Sequence, residues 1–255
     1  MSWRPAVFLA GLVLMLLWEG LVPARPWRAG RGRRLAFHLG VGAFNTALMR
    51  WALVPPLLAW AAFVRAKGWG AAGLLGLSGW TEIAVSLAVL DLLDYWWHRM
   101  NHRVAFFWRF HRAHHSDTEL DATTSLRFHF GELVLSGGMK ALWLLAWGPS
   151  PLAFVLFETA ITACAQFHHA NVDLGRAEPP VRLLLMTPRL HAAHHTASRR
   201  TRDMNFSTIF LLWDRLFGTL AEATREELEV LGLPEGRAGA LSPRGFLASP
   251  VRLGP

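Results

Sequence analysis

Eleven of the chain's twelve histidines fall between residues 98 and 195, and their spacing is the first sign of chemistry. His98 and His102 stand four apart, so on a helix they share one face, one turn apart. His111, His114 and His115 form His-x-x-His-His, which gathers three imidazoles on one side of a helix. His191, His194 and His195 repeat that spacing, and Phe167-His168-His169-Ala170-Asn171 lies between the two triplets. Imidazoles packed this densely repel one another if protonated, and their buried ring nitrogens need partners. A divalent metal meets both demands by binding the neutral nitrogens. One metal takes about four to six ligands, so eight or more histidines argue for two metals. The ligand type suits Zn, Fe, Cu or Ni, and spacing alone does not choose among them. His38 stands apart, near the start of an apolar stretch, and reads as an interfacial histidine.

The elements that must position these residues are hydrophobic. The chain is 53% hydrophobic, and its 17% of charged residues falls well below the roughly 25% usual in soluble domains. Apolar residues run together over 6–22, 35–64, 80–97, 132–147 and 151–167, separated by short basic stretches, which is a membrane pattern. The expected fold class is therefore all-α integral membrane. Four to five transmembrane or hairpin helices would carry a cytoplasmic helical cap that bears the histidine clusters. The net charge of +8 does not point to nucleic acid, because the basic residues flank hydrophobic spans rather than forming a polar face. They suit anionic lipid head groups instead. The first stretch lacks a convincing cleavage site and is expected to stay as a span. Arg25, Arg28, Arg31, Arg33 and Arg34 then form a basic loop that marks the cytoplasmic side.

Pro55-Pro56 is expected to kink the long second stretch. Glu82, Asp91 and Asp94 in the third are costly in lipid and should face the protein interior. Gly148-Pro149-Ser150 makes a tight hairpin between the fourth and fifth. If the basic loop is cytoplasmic, single crossings bring every histidine cluster to that same face. The divisions expected are 1–79 for the N-terminal spans and basic loop, 80–220 for the catalytic region and 221–255 for a peripheral tail. Thr224 and Glu227 should cap a short helix in that tail, ending near Gly232. The lone Cys164 excludes an intramolecular disulfide.

The segment Asp91-Leu-Leu-Asp-Tyr-Trp-Trp-His98-Arg-Met-Asn-His102, followed by Trp108-Arg-Phe-His111-Arg-Ala-His114-His115, resembles the fatty acid hydroxylase and sterol desaturase superfamily. So do Leu126-Arg-Phe-His129, Phe167-His-His169-Ala-Asn and Thr187-Pro-Arg-Leu-His191-Ala-Ala-His194-His195. Asn205-Phe-Ser and Leu212-Trp-Asp-Arg-Leu-Phe-Gly-Thr219 complete a likeness over about 80–220, with a bacterial-type N-terminal region. The resemblance implies an oxidoreductase of the membrane that holds two non-haem Fe ions and uses O2 as co-substrate. Such an enzyme hydroxylates or desaturates a sterol, fatty acyl, sphingolipid or carotenoid. Carried over residue by residue, the metal ligands are His98, His102, His111, His114, His115, His169, His191, His194 and His195. No catalytic residue is expected beyond them.

His129 matches a family histidine usually followed by proline, where this chain has Phe130, and its role stays open. His168 points about 100° away from His169 on a helix and is not expected at the same metal. Asp94, Asp117 and Asp121 are candidates for orienting imidazoles, although capping is the more ordinary role for each. Trp96, Trp97, Phe106, Phe107 and Trp108 are candidates for a lateral route from the bilayer. No stretch is long enough for a fused redox domain, so a separate ferredoxin- or cytochrome-type donor is expected. The implied location is the bacterial inner membrane, with the metal site on the cytoplasmic side. The rival is a membrane-embedded zinc enzyme, or a metal-binding membrane protein without oxygen chemistry. It lacks His-Glu-x-x-His and has too many histidines for one zinc.

Overall fold

The structure, a computed structural model, describes residues 3–27, 30–239 and 241–251. Arg28 of the basic loop and residues 252–255 of the tail lie outside the described residues. Within them the chain is helical, with isolated bridges and no extended strand. Helix α1 (Trp3–Leu21) is followed by α2 (Arg31–Leu48), a π turn (Met49–Leu53), α3 (Val54–Ala66) and the single turn α4 (Ala71–Leu74). Then come α5 (Gly79–Arg103), α6 (Ala105–His115), α7 (Phe130–Trp147), α8 (Pro151–His169), the turn α9 (Glu178–Val181) and α10 (Pro188–His194).

Among the described residues, two segments are long and apolar enough to cross a membrane: Trp3–Leu21 and the run Arg31–Leu74. Both present large apolar side chains outward, including Leu14, Leu17, Phe44 and Trp51, as lipid-facing helices do. Helices α5, α7 and α8 are of similar length but carry buried charges. Pro55 and Pro56 cannot donate to the carbonyls four residues earlier. The π turn just before them absorbs that mismatch, so the helical run continues through the prolines.

The core lies where α3, α5, α7 and α8 meet, around Ala61, Leu90, Trp143, Leu144 and Phe157. The α7–α8 hairpin turns on Gly148, whose φ of 70° favours glycine, and Ser150 caps α8 by accepting from the Ala153 N–H at 3.1 Å. Glu82 of α5 locks the turn: it accepts from the Ser150 N–H at 2.8 Å, from the Ser150 hydroxyl at 2.7 Å and from Ser86 at 2.8 Å. The Trp147 indole in turn donates to Ser86 at 2.7 Å. Asp91 accepts from the backbone of Ile209 and Phe210 and from the Trp213 indole, which ties α5 to the chain after α10. Glu82, Asp91 and Asp94 are all buried and face the protein interior, as expected.

The basic loop turns inward at Arg34, while Arg33 stays exposed. Arg34 is 2% exposed and binds Asp117, Asp121 and Thr124. Arg31 pairs with Glu19 at 3.5 Å, and the Arg25 N–H donates to Asn171 Oδ1 at 3.0 Å. His38 corrects the expectation of an interfacial ring. It is fully buried, with Nδ1 2.9 Å from the Thr123 hydroxyl, because the Arg34 network draws the start of α2 onto residues 117–124.

The tail also lies closer to the histidines than its composition suggests. Its cap forms as expected, with Thr224 and Glu227 bonded reciprocally, but the helix spans only Arg225–Leu228 rather than reaching Gly232. Beyond it the Gly232 N–H donates to the His195 carbonyl at 2.9 Å, and the Leu233 N–H to that of His115 at 3.1 Å.

Candidate metal centre

All nine histidines named as ligands converge at the ends of α5, α6, α8 and α10. They form two groups. His98, His102, His111, His115 and His194 make one; His114, His169, His191 and His195 make the other, with one ring nitrogen of each within 4.8 Å of the others in its group. Each His-x-x-His-His triplet serves both groups rather than gathering at one. Residues i and i+4 lie close in angle around a helix while i+3 falls to the other side of i. His111 and His115 therefore reach the first group and His114 the second. The other triplet is the converse, with His191 and His195 in the second group and His194 in the first.

The outer nitrogens fix the rings. His98 Nδ1 lies 2.8 Å from the Phe206 carbonyl, His194 Nδ1 2.7 Å from that of Met204, and His169 Nδ1 2.7 Å from that of Ala165. Carbonyls only accept, so each of these rings carries its proton on Nδ1 and turns the Nε2 lone pair inward. His98 Nε2 and His194 Nε2 then face each other at 3.0 Å with no proton between two neutral rings. That contact is repulsive unless a cation sits there. Two nitrogens about 2.1 Å from one metal, at a right angle to each other, stand about 3.0 Å apart. The second group shows similar spacings: His169 Nε2 lies 3.1 Å from His114 Nε2 and 3.0 Å from His191 Nε2. Nε2 of His102 and His111, buried and aimed inward, has no hydrogen-bond partner. Burial, reinforced by neighbouring imidazoles, holds His102, His114, His115, His191, His194 and His195 well below the ordinary histidine range. Their lone pairs are thus free at neutral pH, and the donor set fits two metal ions.

Two acids that sequence reasoning passed over orient ligands. Glu132 accepts from His111 Nδ1 at 2.8 Å, and Asp203 lies 3.3 Å from His102 Nδ1. Their signal was faint: Glu132 opens an apolar stretch, and Asp203 sits among arginines. The acids named beforehand act elsewhere. Asp117 and Asp121 bind Arg34, Asp121 also caps residues 122–126, and Asp94 accepts from Thr208 at 2.8 Å.

His129 lies outside both groups. Its Nδ1 accepts from the Gly131 N–H at 3.0 Å, capping α7, and its Nε2 lies 3.3 Å from the Leu247 carbonyl. His168 also lies outside them, packed on the His191 ring at 4.0 Å between centroids.

A cavity of about 1000 Å³ opens from the histidines toward the far ends of α1 and α2. His98, His111, His114, His169 and His191 line one end; Phe8, Leu12, Leu39 and Leu58 are among its apolar walls. Of the aromatic residues proposed for a lateral route, only Trp97 lines it. Trp108 packs instead against His102, at 5.1 Å, and His115, at 5.6 Å, with the Arg202 guanidinium 5.5 Å from its ring.

A family model described as fatty acid hydroxylase matches residues 83–219, more than half of the chain and the stretch holding all nine histidines. The chain belongs to the fatty acid hydroxylase family. Human alkylglycerol monooxygenase is 33% identical over 165 residues, which cover 61% of this chain and 34% of that protein. The ornithine lipid hydroxylase OlsE of Rhizobium tropici is 31% identical over 170 residues, covering 66% of this chain and 48% of its own. A very-long-chain aldehyde decarbonylase of Oryza sativa subsp. indica is 28% identical over 144 residues, 53% of this chain and 22% of the relative. The chain thus spans a third to a half of the first curated relatives it matches. No solved structure matches it.

Proposed function

We propose that this member of the fatty acid hydroxylase family is an oxygen-dependent di-iron hydroxylase or desaturase acting on a C–H bond of a membrane lipid. The observation that carries the reading is the pair of facing lone pairs on His98 and His194, with His98 lining the end of a long, largely apolar cavity. The nine histidines would hold two metals, five at one and four at the other. The chemistry that a pair of irons supplies when bound is activation of O2 for attack on an unactivated C–H bond. The chain's own part is positional. Backbone carbonyls hold the Nδ1 protons of His98, His169 and His194, and Glu132 that of His111, which turns the Nε2 lone pairs of those four rings toward the metal positions. The apolar walls keep water from the reacting carbon and line the substrate's chain up with the histidines.

Relatives named for alkylglycerol and for ornithine lipid support a polar membrane lipid as the substrate class. Four to five spans would place the centre at the cytoplasmic face of a bacterial inner membrane. Electrons would come from a separate ferredoxin- or cytochrome-type protein. Trp108, with Arg202 beside it, packs on His102 and His115 of the first group, and neither lines the cavity, which suits electron delivery there.

The test is metal content per chain after anaerobic purification, with oxygen-dependent product formation in a membrane lipid extract. About two irons and an oxidised lipid are expected. One tightly held zinc with no oxygen chemistry would overturn the proposal.

A further inference from the structure

Lys140 of α7 and Glu158 of α8 form an ion pair at 2.6 Å inside the hairpin, and neither side chain is more than about a tenth exposed. Both line the cavity that leads to the histidines, as does Asp94, which lies within electrostatic range of each. Packing does not require such a pair between two apolar helices, because a buried ion pair is commonly no more stabilising than apolar residues of the same size. Position gives it a use. Glu158 is eleven residues before His169 on α8, so the pair lies roughly 16 Å along the helix from the metal end. Thr208, whose hydroxyl donates to Asp94 at 2.8 Å, adds a further polar group to the same wall.

We propose that Lys140 and Glu158 are a recognition site for a neutral hydrogen-bonding group, a hydroxyl or an amide, carried by the substrate at a fixed distance from the carbon that is oxidised. Such a group inserts between the two charges, accepting from the Lys140 ammonium and donating to the Glu158 carboxylate. Two carboxylates face one ammonium here, so a carboxylate head group is disfavoured at this position, although Arg4 and Arg50 line the cavity elsewhere. A plain hydrocarbon chain leaves the pair unsolvated by any polar partner and gains nothing from it. The inference rests on the lipid-oxidising reading only in calling the occupant a substrate; the binding preference stands on the cavity and its charges.

The test uses the full chain in lipid nanodiscs, with octadecan-1-ol, n-octadecane and octadecanoate supplied at equal mole fraction and binding read from the rise in unfolding temperature. Wild type should bind octadecan-1-ol about tenfold more tightly than n-octadecane, the size of one hydrogen bond to a charged group. A double variant, Lys140→Met with Glu158→Leu, avoids stranding one charge. It should keep its metal content, bind octadecanoate no more weakly than wild type and lose the preference for the alcohol, whereas Lys140→Arg should retain that preference. Equal binding of alcohol and hydrocarbon by wild type would overturn the proposal whatever the variants do. So would a folded double variant that still prefers the alcohol, since the pair would then be a staple between α7 and α8. Should the double variant fail to fold, the wild-type ranking decides. Iron content and oxygen use, measured separately, test the hydroxylase reading. A chain that ranks the probes as expected but consumes no oxygen overturns that reading and leaves this one.

Discussion

Glu132 accepts from His111 Nδ1, in the first histidine group, at 2.8 Å, and both partners are buried. Its role separates from that of the ligands, because it touches the ring's outer nitrogen. Removing it frees His111 to rotate or change tautomer while every ligand remains. Glu132→Ala is therefore expected to weaken metal binding by about 10- to 100-fold, with the helices intact. Glu132→Gln, which still accepts a hydrogen bond, should retain most of the affinity. Titration against a competing chelator, alongside circular dichroism, checks both. Asp203 makes a longer contact at 3.3 Å from a half-buried position, so Asp203→Asn should have the smaller effect in the same assay.

Among the elements, the α7–α8 hairpin carries the most concentrated polar support, and Glu82 is its centre. Glu82→Ala strands the Ser150 N–H, the Ser150 hydroxyl and Ser86 in a buried turn. A loss of at least about 1–3 kcal/mol is expected, the penalty of leaving even one of these three groups unpaired. Thermal unfolding in detergent measures it, and an unchanged midpoint would show that water replaces the carboxylate. How much of this was legible in the sequence follows from periodicity. The apolar stretches, the hairpin turn, the inward acids and the clustering of the histidines follow from helical spacing and from the expense of charge in an apolar run, whereas the choice of nine among them came from the resemblance. The exchange of His114 and His194 between the two groups was not legible, because spacing fixes angles on one helix but not how two helices face. Glu132 and Asp203 were hidden for the same reason: each meets its histidine across a tertiary contact. His38 and Arg34 read as surface residues because their partners, Asp117, Asp121 and Thr123, are more than eighty positions away.

At the scale of the whole molecule, four helices and the chain after α10 end in one buried cluster, so protonation of that cluster and global stability are linked. His102, His114, His115, His191, His194 and His195 are held well below the ordinary histidine range by burial and by one another. In the unfolded chain the same rings titrate near 6.5. Below about pH 6.5 the unfolded state therefore binds more protons than the folded one. Stability is then fully present above that value and is lost as pH falls toward the depressed folded values. Each such ring contributes a slope of up to about 1.4 kcal/mol per pH unit within the window. Metal affinity should behave differently, because the folded rings stay neutral and protons do not compete for their lone pairs there. Between pH 7.5 and 5.5 the metal-loaded protein is expected to keep its metal while its unfolding temperature falls, and chelator treatment should lower that temperature further at every pH. Metal analysis after gel filtration, with a thermal scan at each pH, reads both quantities. Release of metal with a midpoint near 6.5 and a flat unfolding temperature would mean that the histidines titrate as exposed groups, and would overturn this linkage.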